Sequence, residues 1–221
     1  MDELVFLLDV DNTLLDNDRF AADLDARLGE DFGAEQRARY WALFEDLRAH
    51  HGVADYLAAL QAFRDGLDDH PRLLGMSSFL LEYPFETLLF EGALAAVARL
   101  GARGPTVVLS DGDVVFQPRK IQRAGIWDAV AGRVLIYRHK ERVLDDVQRR
   151  HPAAHYVMVD DKPRLLAAMK QRMRGRLTTV FVRQGHYARA ETTAPVEPAP
   201  DRRIERIADL ADCDLTYPIT T

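Results

Sequence analysis

The chain has 221 residues, a hydrophobic fraction of 48%, a net charge of -6 and a pI of about 5.6. This length suits one large domain or a core with a smaller inserted domain. The acidic balance argues against a nucleic-acid partner, because nucleic-acid-binding proteins usually present a basic face, and the single cysteine, Cys213, excludes an intrachain disulfide framework.

The N-terminal segment, MDELVFLLDVDNT, contains a short apolar run at positions 4–8 that ends at Asp9. It has neither the basic start nor the long apolar stretch of a secretory signal, and no part of the chain approaches the ~18 apolar residues of a membrane span. We therefore expect a cytoplasmic protein without a membrane partner. The run itself is typical of a strand buried on both faces.

Between residues 16 and 89 the apolar residues recur at helical spacing, beginning with Phe20, Leu24 and Leu28. Three more such stripes follow, with glycines or a His-Pro pair between them, as expected where helices end. This segment therefore predicts a helical insert after the first strand. The separating residues are Gly29, Gly33, Gly52, Gly66, His70 and Pro71.

Beyond Gly92, predicted helices and strands alternate, which is typical of βαβ units and a mainly parallel sheet. We predict an α/β fold: a doubly wound, Rossmann-like core of residues 1–15 and 90–221, with residues 16–89 as an inserted α-helical cap domain. The predicted strands are 106–109, 134–137, 156–159 and 178–182, and the predicted helices are 93–100, 118–124, 141–150 and 163–173. Residues 191–201 indicate a loop, and 203–210 an edge strand with a last helical turn.

Four of the predicted strands lead into polar residues. In an open parallel sheet, ligands bind outside the carboxyl ends of the strands, so these residues should converge on one site. Several carboxylates that face one another need a cation, and an all-oxygen set of this kind suits Mg²⁺. The residues are Asp9 and Asp11, Ser110 and Asp111, Lys140, and Asp160 and Asp161.

Asp9 and Asp11 are two positions apart, which predicts side chains that point the same way at a spacing of roughly 6–7 Å. That separation would let one carboxylate attack phosphorus while the other reaches the leaving oxygen. A lysine and a serine hydroxyl would then neutralise and orient the phosphoryl oxygens.

The segments DVDNT, VVLSDGD, YRHKE and VMVDDK resemble, in order and in spacing, the four motifs of the haloacid dehalogenase superfamily. The resemblance covers essentially the whole core, and the helical insert lies where this family carries one type of cap. It departs from common members at Asn12, where many have glycine, and at Glu141, which replaces a frequent Pro-Asp-Pro segment.

The resemblance implies a role for each motif residue. Asp9 would be the nucleophile and a metal ligand, and Asp11 the general acid and base, with its backbone carbonyl on the metal. Members that cleave carbon–halogen bonds lack the second aspartate, so Asp11 favours a phosphatase. The remaining implied roles are phosphate binding for Ser110, Asp111 and Lys140, support of the loop for Thr13, and Mg²⁺ binding for Asp161 with Asp160 beside it.

The leading hypothesis is a phosphatase for a small phosphorylated metabolite. A phosphomutase or phosphotransferase would use the same chemistry until the acceptor arrives, and a phosphate-binding regulatory protein without turnover is a third possibility. Outside the motifs we expect Arg119, Lys120 and Lys162 to be solvated cations, and we expect Trp41 and Tyr56 to belong to the core of the insert.

Overall fold

The computed structural model describes residues 2–67, 70–186, 196–213 and 215. A six-stranded, fully parallel sheet runs through the molecule in the order β3-β2-β1-β4-β5-β6. The strands are β1 (Asp2–Leu8), β2 (Thr106–Asp111), β3 (Val134–Tyr137), β4 (Ala153–Asp160), β5 (Leu177–Val182) and β6 (Arg202–Ile204). The order reverses direction at β1, which places the first strand at the centre of a doubly wound sheet and confirms the predicted fold class.

The helices divide between the segment after β1 and the connections of the sheet. The first group is α1 (Asn17–His51), α2 (Tyr56–Phe63) and α3 (Arg72–Glu82), and the second is α4 (Ala93–Gly101), α5 (Phe116–Arg123), α6 (Ile126–Ala129), α7 (Leu144–Arg150) and α8 (Pro163–Met173). We call α1–α3 the cap. The domain boundaries at residues 16 and 89 stay a prediction.

The sheet is buried on both faces because its strands are apolar on both. In β1, Phe6 and Leu8 pack into a core shared with α4, α5 and the cap, whereas Val5 and Leu7 pack into a second core under α7 and α8. This arrangement explains why β1 is a continuous apolar run rather than an alternating one.

The observed elements differ from the predicted ones mainly in the cap and at short elements. α1 continues through Gly29, and its interruption is at Gly33, which has a φ of 81° that glycine adopts readily. The short helix α6 was not predicted, and a 3₁₀ turn at Lys140–Arg142 replaces the predicted start of α7. Of the predicted loop 191–201, residues 191–195 lie outside the described residues. Among the described residues, no helix combines the length and apolarity that crossing a membrane requires.

Candidate active site

Asp9 lies at the carboxyl end of the central strand, where its backbone N–H donates to the carbonyl of Val159 at 3.0 Å and extends the pairing of β1 with β4. Its side chain is buried, with 2% exposed. Oδ1 is 2.5 Å from the Lys140 ammonium, and Oδ2 accepts a hydrogen bond of 3.1 Å from the Thr13 hydroxyl. Both oxygens of the predicted nucleophile are therefore held in a fixed orientation.

Lys140 connects two of the acidic residues. Its fully buried Nζ lies 2.5 Å from Asp9 and 2.7 Å from Asp160 Oδ2. The loop that carries Lys140 follows β3, and Asp111 anchors it by accepting the Lys140 backbone N–H at 2.7 Å. A single ammonium thus partly neutralises two buried carboxylates.

The buried acids do not all ionise equally. Burial opposes ionisation of Asp9, but the ammonium groups of Lys140 and Lys162 outweigh it and hold the pKa of Asp9 below its ordinary value. Burial raises the pKa of Asp160 despite its ammonium partner. Burial, with the negative charge of Asp160, raises the pKa of Asp161 to about 9. The negative charge that Asp160 and Asp161 would carry when both are ionised is therefore not fully balanced by nearby lysines.

The residues fit a divalent cation. Asp9, Asp160 and Asp161 each offer a carboxylate oxygen, and these atoms lie within 4.8 Å of one another. Among the described residues, neither carboxylate oxygen of Asp161 has a hydrogen-bond partner. Buried carboxylate oxygens are rarely left unsatisfied, and a hard cation such as Mg²⁺ would satisfy these.

Asp11 occupies a different side of the loop after β1. Its carboxylate, 26% exposed, accepts a hydrogen bond from Lys120 through Oδ1 and one of 3.2 Å from Gln117 through Oδ2. The Asp11 side chain is not part of the acidic cluster that could hold a cation, and the metal contact predicted for its backbone carbonyl stays a prediction. The two aspartates therefore contact different lysines: Asp9 contacts Lys140, and Asp11 contacts Lys120.

Asn12 shapes the turn between these groups. Its φ of 59° lies in the left-handed region, which asparagine tolerates better than most residues and glycine adopts freely. Its side-chain oxygen accepts the backbone N–H groups of Asn17 and Asp18, the first two residues of α1. Asn12 therefore joins the loop after β1 to the start of the cap through side-chain hydrogen bonds that glycine could not make.

The predicted phosphate-binding residues lie at the end of β2 and after β3. The hydroxyl of Ser110 accepts a hydrogen bond of 2.9 Å from Gln117 and donates one to the carbonyl of Asp111. Burial raises the pKa of Asp111, and the positive charge of Lys140 offsets part of this increase. An ionised carboxylate would repel phosphate, so a phosphate contact at Asp111 would have to use the backbone, and the assignment stays a prediction.

A cavity of about 470 Å³ opens beside these residues. Its core side includes Asp11, Asp111 and Lys162, and its cap side includes Trp41 and Tyr56. Three residues expected elsewhere therefore line it. Lys162 is partly buried rather than solvated, and Trp41 and Tyr56 border the cavity as well as the cap core. The other lining residues are Asn12, Asn17, Asp18, Ala21, Phe44, Glu45, Arg48, Gly52, Val53, Ala54 and His186.

The expectation that Lys120 is a solvated cation is wrong. Lys120 is 1% exposed, since it lies on the same helical face as Phe116, Gln117 and Ile121. Positions i, i+1, i+4 and i+5 form one face of a helix, and this spacing was available in the sequence. Gln117 was missed for the same reason. Arg119, by contrast, is exposed as expected.

Comparison with known proteins places the chain in a family. The sequence is 58% identical to a haloacid dehalogenase-like hydrolase from Burkholderia xenovorans LB400, whose crystal structure matches with a TM-score of 0.88 over 97% of each chain. Two solved structures share the fold at lower identity. One is a 2-haloacid dehalogenase from Pseudomonas syringae pv. Tomato DC3000, at 17% identity and a TM-score of 0.66 over 96% of this chain and 97% of that chain.

The other is the HAD-hydrolase YfnB from Bacillus subtilis, bound to magnesium, at 16% identity and a TM-score of 0.61 over 96% of this chain and 98% of that chain. No protein-family model matches the sequence, and a search of curated proteins found no match. The similarity to the Burkholderia protein over nearly the whole chain shows that this protein belongs to the haloacid dehalogenase-like hydrolases and is an enzyme of that family. The predicted family is confirmed.

Proposed function

We propose that this hydrolase is a magnesium-dependent phosphatase that removes phosphate from small phosphorylated metabolites through an aspartyl-phosphate on Asp9. The observation that carries the proposal is the Asp11 carboxylate, which is held by two hydrogen bonds and borders the cavity. A halide leaves without a proton, whereas the alkoxide of a phosphate ester is a poor leaving group that needs one. A second, cavity-facing carboxylate therefore supports phosphate ester hydrolysis over dehalogenation.

Asp9 is suited to nucleophilic attack. Its lowered pKa keeps the carboxylate ionised, and the bonds from Thr13 and Lys140 fix its orientation. In the first step an oxygen of Asp9 forms a bond to phosphorus, the ester oxygen leaves, and Asp11 gives that oxygen its proton. The product of this step is an aspartyl-phosphate and a free alcohol.

Phosphate brings negative charge into a site that already holds several carboxylates. Lys140 would share its charge with the phosphoryl oxygens, and the Ser110 hydroxyl would donate a hydrogen bond to one of them. Mg²⁺ held by Asp9, Asp160 and Asp161 would supply the remaining positive charge at the phosphoryl group. A 2-haloacid carries its negative charge on a carboxylate next to the attacked carbon, whereas a phosphate monoester carries it on the attacked phosphoryl group. An acidic cluster able to hold a cation beside Asp9 therefore favours a phosphoryl substrate.

The second step releases the phosphate. Asp11, ionised after its proton has gone to the alcohol, takes a proton from water while the water oxygen bonds to phosphorus. The bond between phosphorus and Asp9 breaks, and both aspartates return to their starting states. The alcohol can diffuse out through the cavity between Asp11 and the cap.

An assay of two substrates tests the proposal. The purified protein is given p-nitrophenyl phosphate or L-2-chloropropionate, each with Mg²⁺ or with excess chelator, and phosphate and chloride release are measured. We expect phosphate release only, dependent on Mg²⁺ and inhibited by Ca²⁺, whose larger and looser coordination would misplace the nucleophile. Chloride release without phosphate release would make the protein a dehalogenase, and release of neither would support a regulatory role.

A further inference from the structure

Lys120 is a buried cation within hydrogen-bond reach of the loop after β1 that carries Asp9 and Asp11, which in the proposed reaction is the catalytic loop. It lies on α5 with 1% of its side chain exposed, and its Nζ donates to Asp11 Oδ1 and, at 3.2 Å, to Asn17 Oδ1. Nζ also lies 5.5 Å from the centre of the Phe116 ring. Burial of a lysine costs free energy, and these contacts offset the cost.

We propose that Lys120 is a positioning residue for the proposed phosphatase reaction: it holds the Asp11 carboxylate toward the cavity and ties it to the start of the cap. The inference rests on the proposed function, because it assumes that Asp11 transfers the proton. Lys120 itself does not border the cavity, whereas Asp11 and Asn17 do. It would therefore act through Asp11 and not on the substrate.

The two aspartates of the catalytic loop have separate lysines with separate tasks. Lys140 contacts Asp9 and Asp160, on the side where phosphate would bind. Lys120 lies on α5 and contacts one oxygen of the Asp11 carboxylate. Gln117, on the same helix, donates a hydrogen bond to the other Asp11 oxygen. With one donor on each oxygen, rotation of the Asp11 carboxylate is restricted, which preorganises the proton transfer.

Asn17 extends this arrangement into the cap. It is the first residue of α1, and its side-chain amide donates to the Tyr56 hydroxyl on α2 at 3.5 Å. Lys120 thus contacts the catalytic loop and the first turn of the cap at the same time. When the cap is packed against the core as in this structure, Asn17 accepts a hydrogen bond from Lys120, and Lys120 in turn contacts Asp11. The position of the cap would therefore support the position of the Asp11 carboxylate.

Lys120→Met tests the inference, because methionine fills a similar volume without the charge. With p-nitrophenyl phosphate, we expect kcat in the steady state to fall roughly 10–100-fold, as expected for a misplaced proton-transfer group, with little change in KM. The phenolate burst from the first step should remain, because nitrophenolate leaves without a proton. Arg119→Met removes an exposed cation from the same helix and should behave as wild type.

A double-variant cycle separates positioning from a general effect on folding. If Lys120 acts through Asp11, the Asp11→Asn/Lys120→Met protein should turn over within about 2-fold of Asp11→Asn alone. If Lys120 only supports the fold, the two losses should multiply and the burst should shrink with the active fraction. Multiplication of the losses would overturn the inference.

A crystal structure of Lys120→Met keeps the inference testable even if the wild-type protein hydrolyses no phosphate ester. That result would refute the proposed function, and the position of Asp11 would still be measured. We expect the carboxylate oxygens of Asp11 to move away from the cavity by about 1 Å or more, a displacement large enough to slow catalysis. An unmoved Asp11 carboxylate would refute the positioning role whatever the enzyme's activity.

Discussion

Asp11 has two tasks in the proposed reaction, and they can be separated by the choice of leaving group. Asp11→Asn removes the proton-transfer group and leaves the backbone of the loop in place. With p-nitrophenyl phosphate the first step needs no acid, so we expect a burst of about one phenolate per enzyme followed by turnover slowed by ~10²–10⁴-fold. With a sugar phosphate no burst should occur. Rapid-mixing kinetics measures both.

Asp9→Asn is the matched comparison, because it removes the nucleophile from the same loop. It should give neither burst nor turnover with either substrate. Asparagine can still accept the Thr13 hydrogen bond, so a folded but inactive protein is expected. If Asp11→Asn instead hydrolyses both substrates at the wild-type rate, the roles assigned to the two aspartates are wrong.

The edge of the sheet is held by a partly buried ion pair. Asp201, just before β6, accepts two hydrogen bonds from Lys170 on α8, at 2.8 and 3.0 Å, and two from the backbone and hydroxyl of Thr179 on β5. Burial favours the neutral acid, but these donors outweigh it and hold the pKa of Asp201 below its ordinary value. Asp201 therefore joins α8, β5 and the approach to β6.

Asp201→Asn should reveal this contribution through its pH dependence. Because the folded-state pKa is below the unfolded one, the ionised form stabilises the fold above the ordinary aspartate pKa, and the stabilisation is lost as the pH falls through the folded-state value. We expect a loss of about 1–3 kcal/mol in unfolding free energy at pH 7. The difference from wild type should shrink below about pH 4.

Glu205→Gln provides the control for that measurement. Glu205 pairs with Arg183 at 3.0 Å, but its side chain is 68% exposed. Exposed pairs contribute about 0–1 kcal/mol, so this variant should unfold nearly as wild type does. Equal losses for both variants, or a loss for Asp201→Asn that does not change with pH, would contradict the role given to Asp201.

The sequence predicted most of the sheet because its strands are short apolar runs, which have few alternatives in a parallel sheet buried on both faces. β3 and α8 were predicted with the observed ends. Helical patterns in the cap were harder to divide, because glycine is compatible with a helix interior, as at Gly29, and breaks a helix only where the backbone leaves helical geometry, as at Gly33.

The candidate site was only partly predictable for a related reason. Motif residues that follow strands could be named from the sequence, since strand ends converge in space. Lys120 and Gln117 lie within a helix, and their approach to Asp11 depends on how α5 packs against the sheet and the cap. A charged residue on a buried helical face is the pattern that would have indicated Lys120.

The cap and the sheet core share one apolar cluster. Phe20 on α1 and Tyr56 on α2 lie 5.5 and 5.2 Å from Phe116 on α5, measured between ring centres. Deletion of residues 16–89 would expose this aromatic surface, which favours aggregation. Point variants at the cavity are therefore a better test of substrate selection than removal of the cap.

Glu45→Gln combined with Arg48→Gln removes two cap charges that border the cavity. Hydrogen bonds to charged groups contribute about 1.5–3 kcal/mol, so kcat/KM for the preferred metabolite, identified by a screen of phosphate esters, should fall about 10-fold or more. Hydrolysis of p-nitrophenyl phosphate, whose leaving group has no matching polar groups, should change little. Asp46→Asn, at an exposed position of α1, is the control. Unchanged selectivity would assign substrate choice to the core.

Metal binding should stabilise the whole molecule, because the acidic cluster brings together β1 and β4 from distant parts of the chain. A ligand that binds only the folded state at 100 times its Kd adds about 2.7 kcal/mol, which for a chain of this size raises Tm by roughly 5–10 °C. We expect Mg²⁺ to raise the Tm of the wild-type protein and of Asp128→Asn, which lacks an exposed carboxylate on α6. Asp161→Asn should fold but lose the Mg²⁺-dependent shift in thermal unfolding. An equal shift in both variants would show that the cation binds elsewhere.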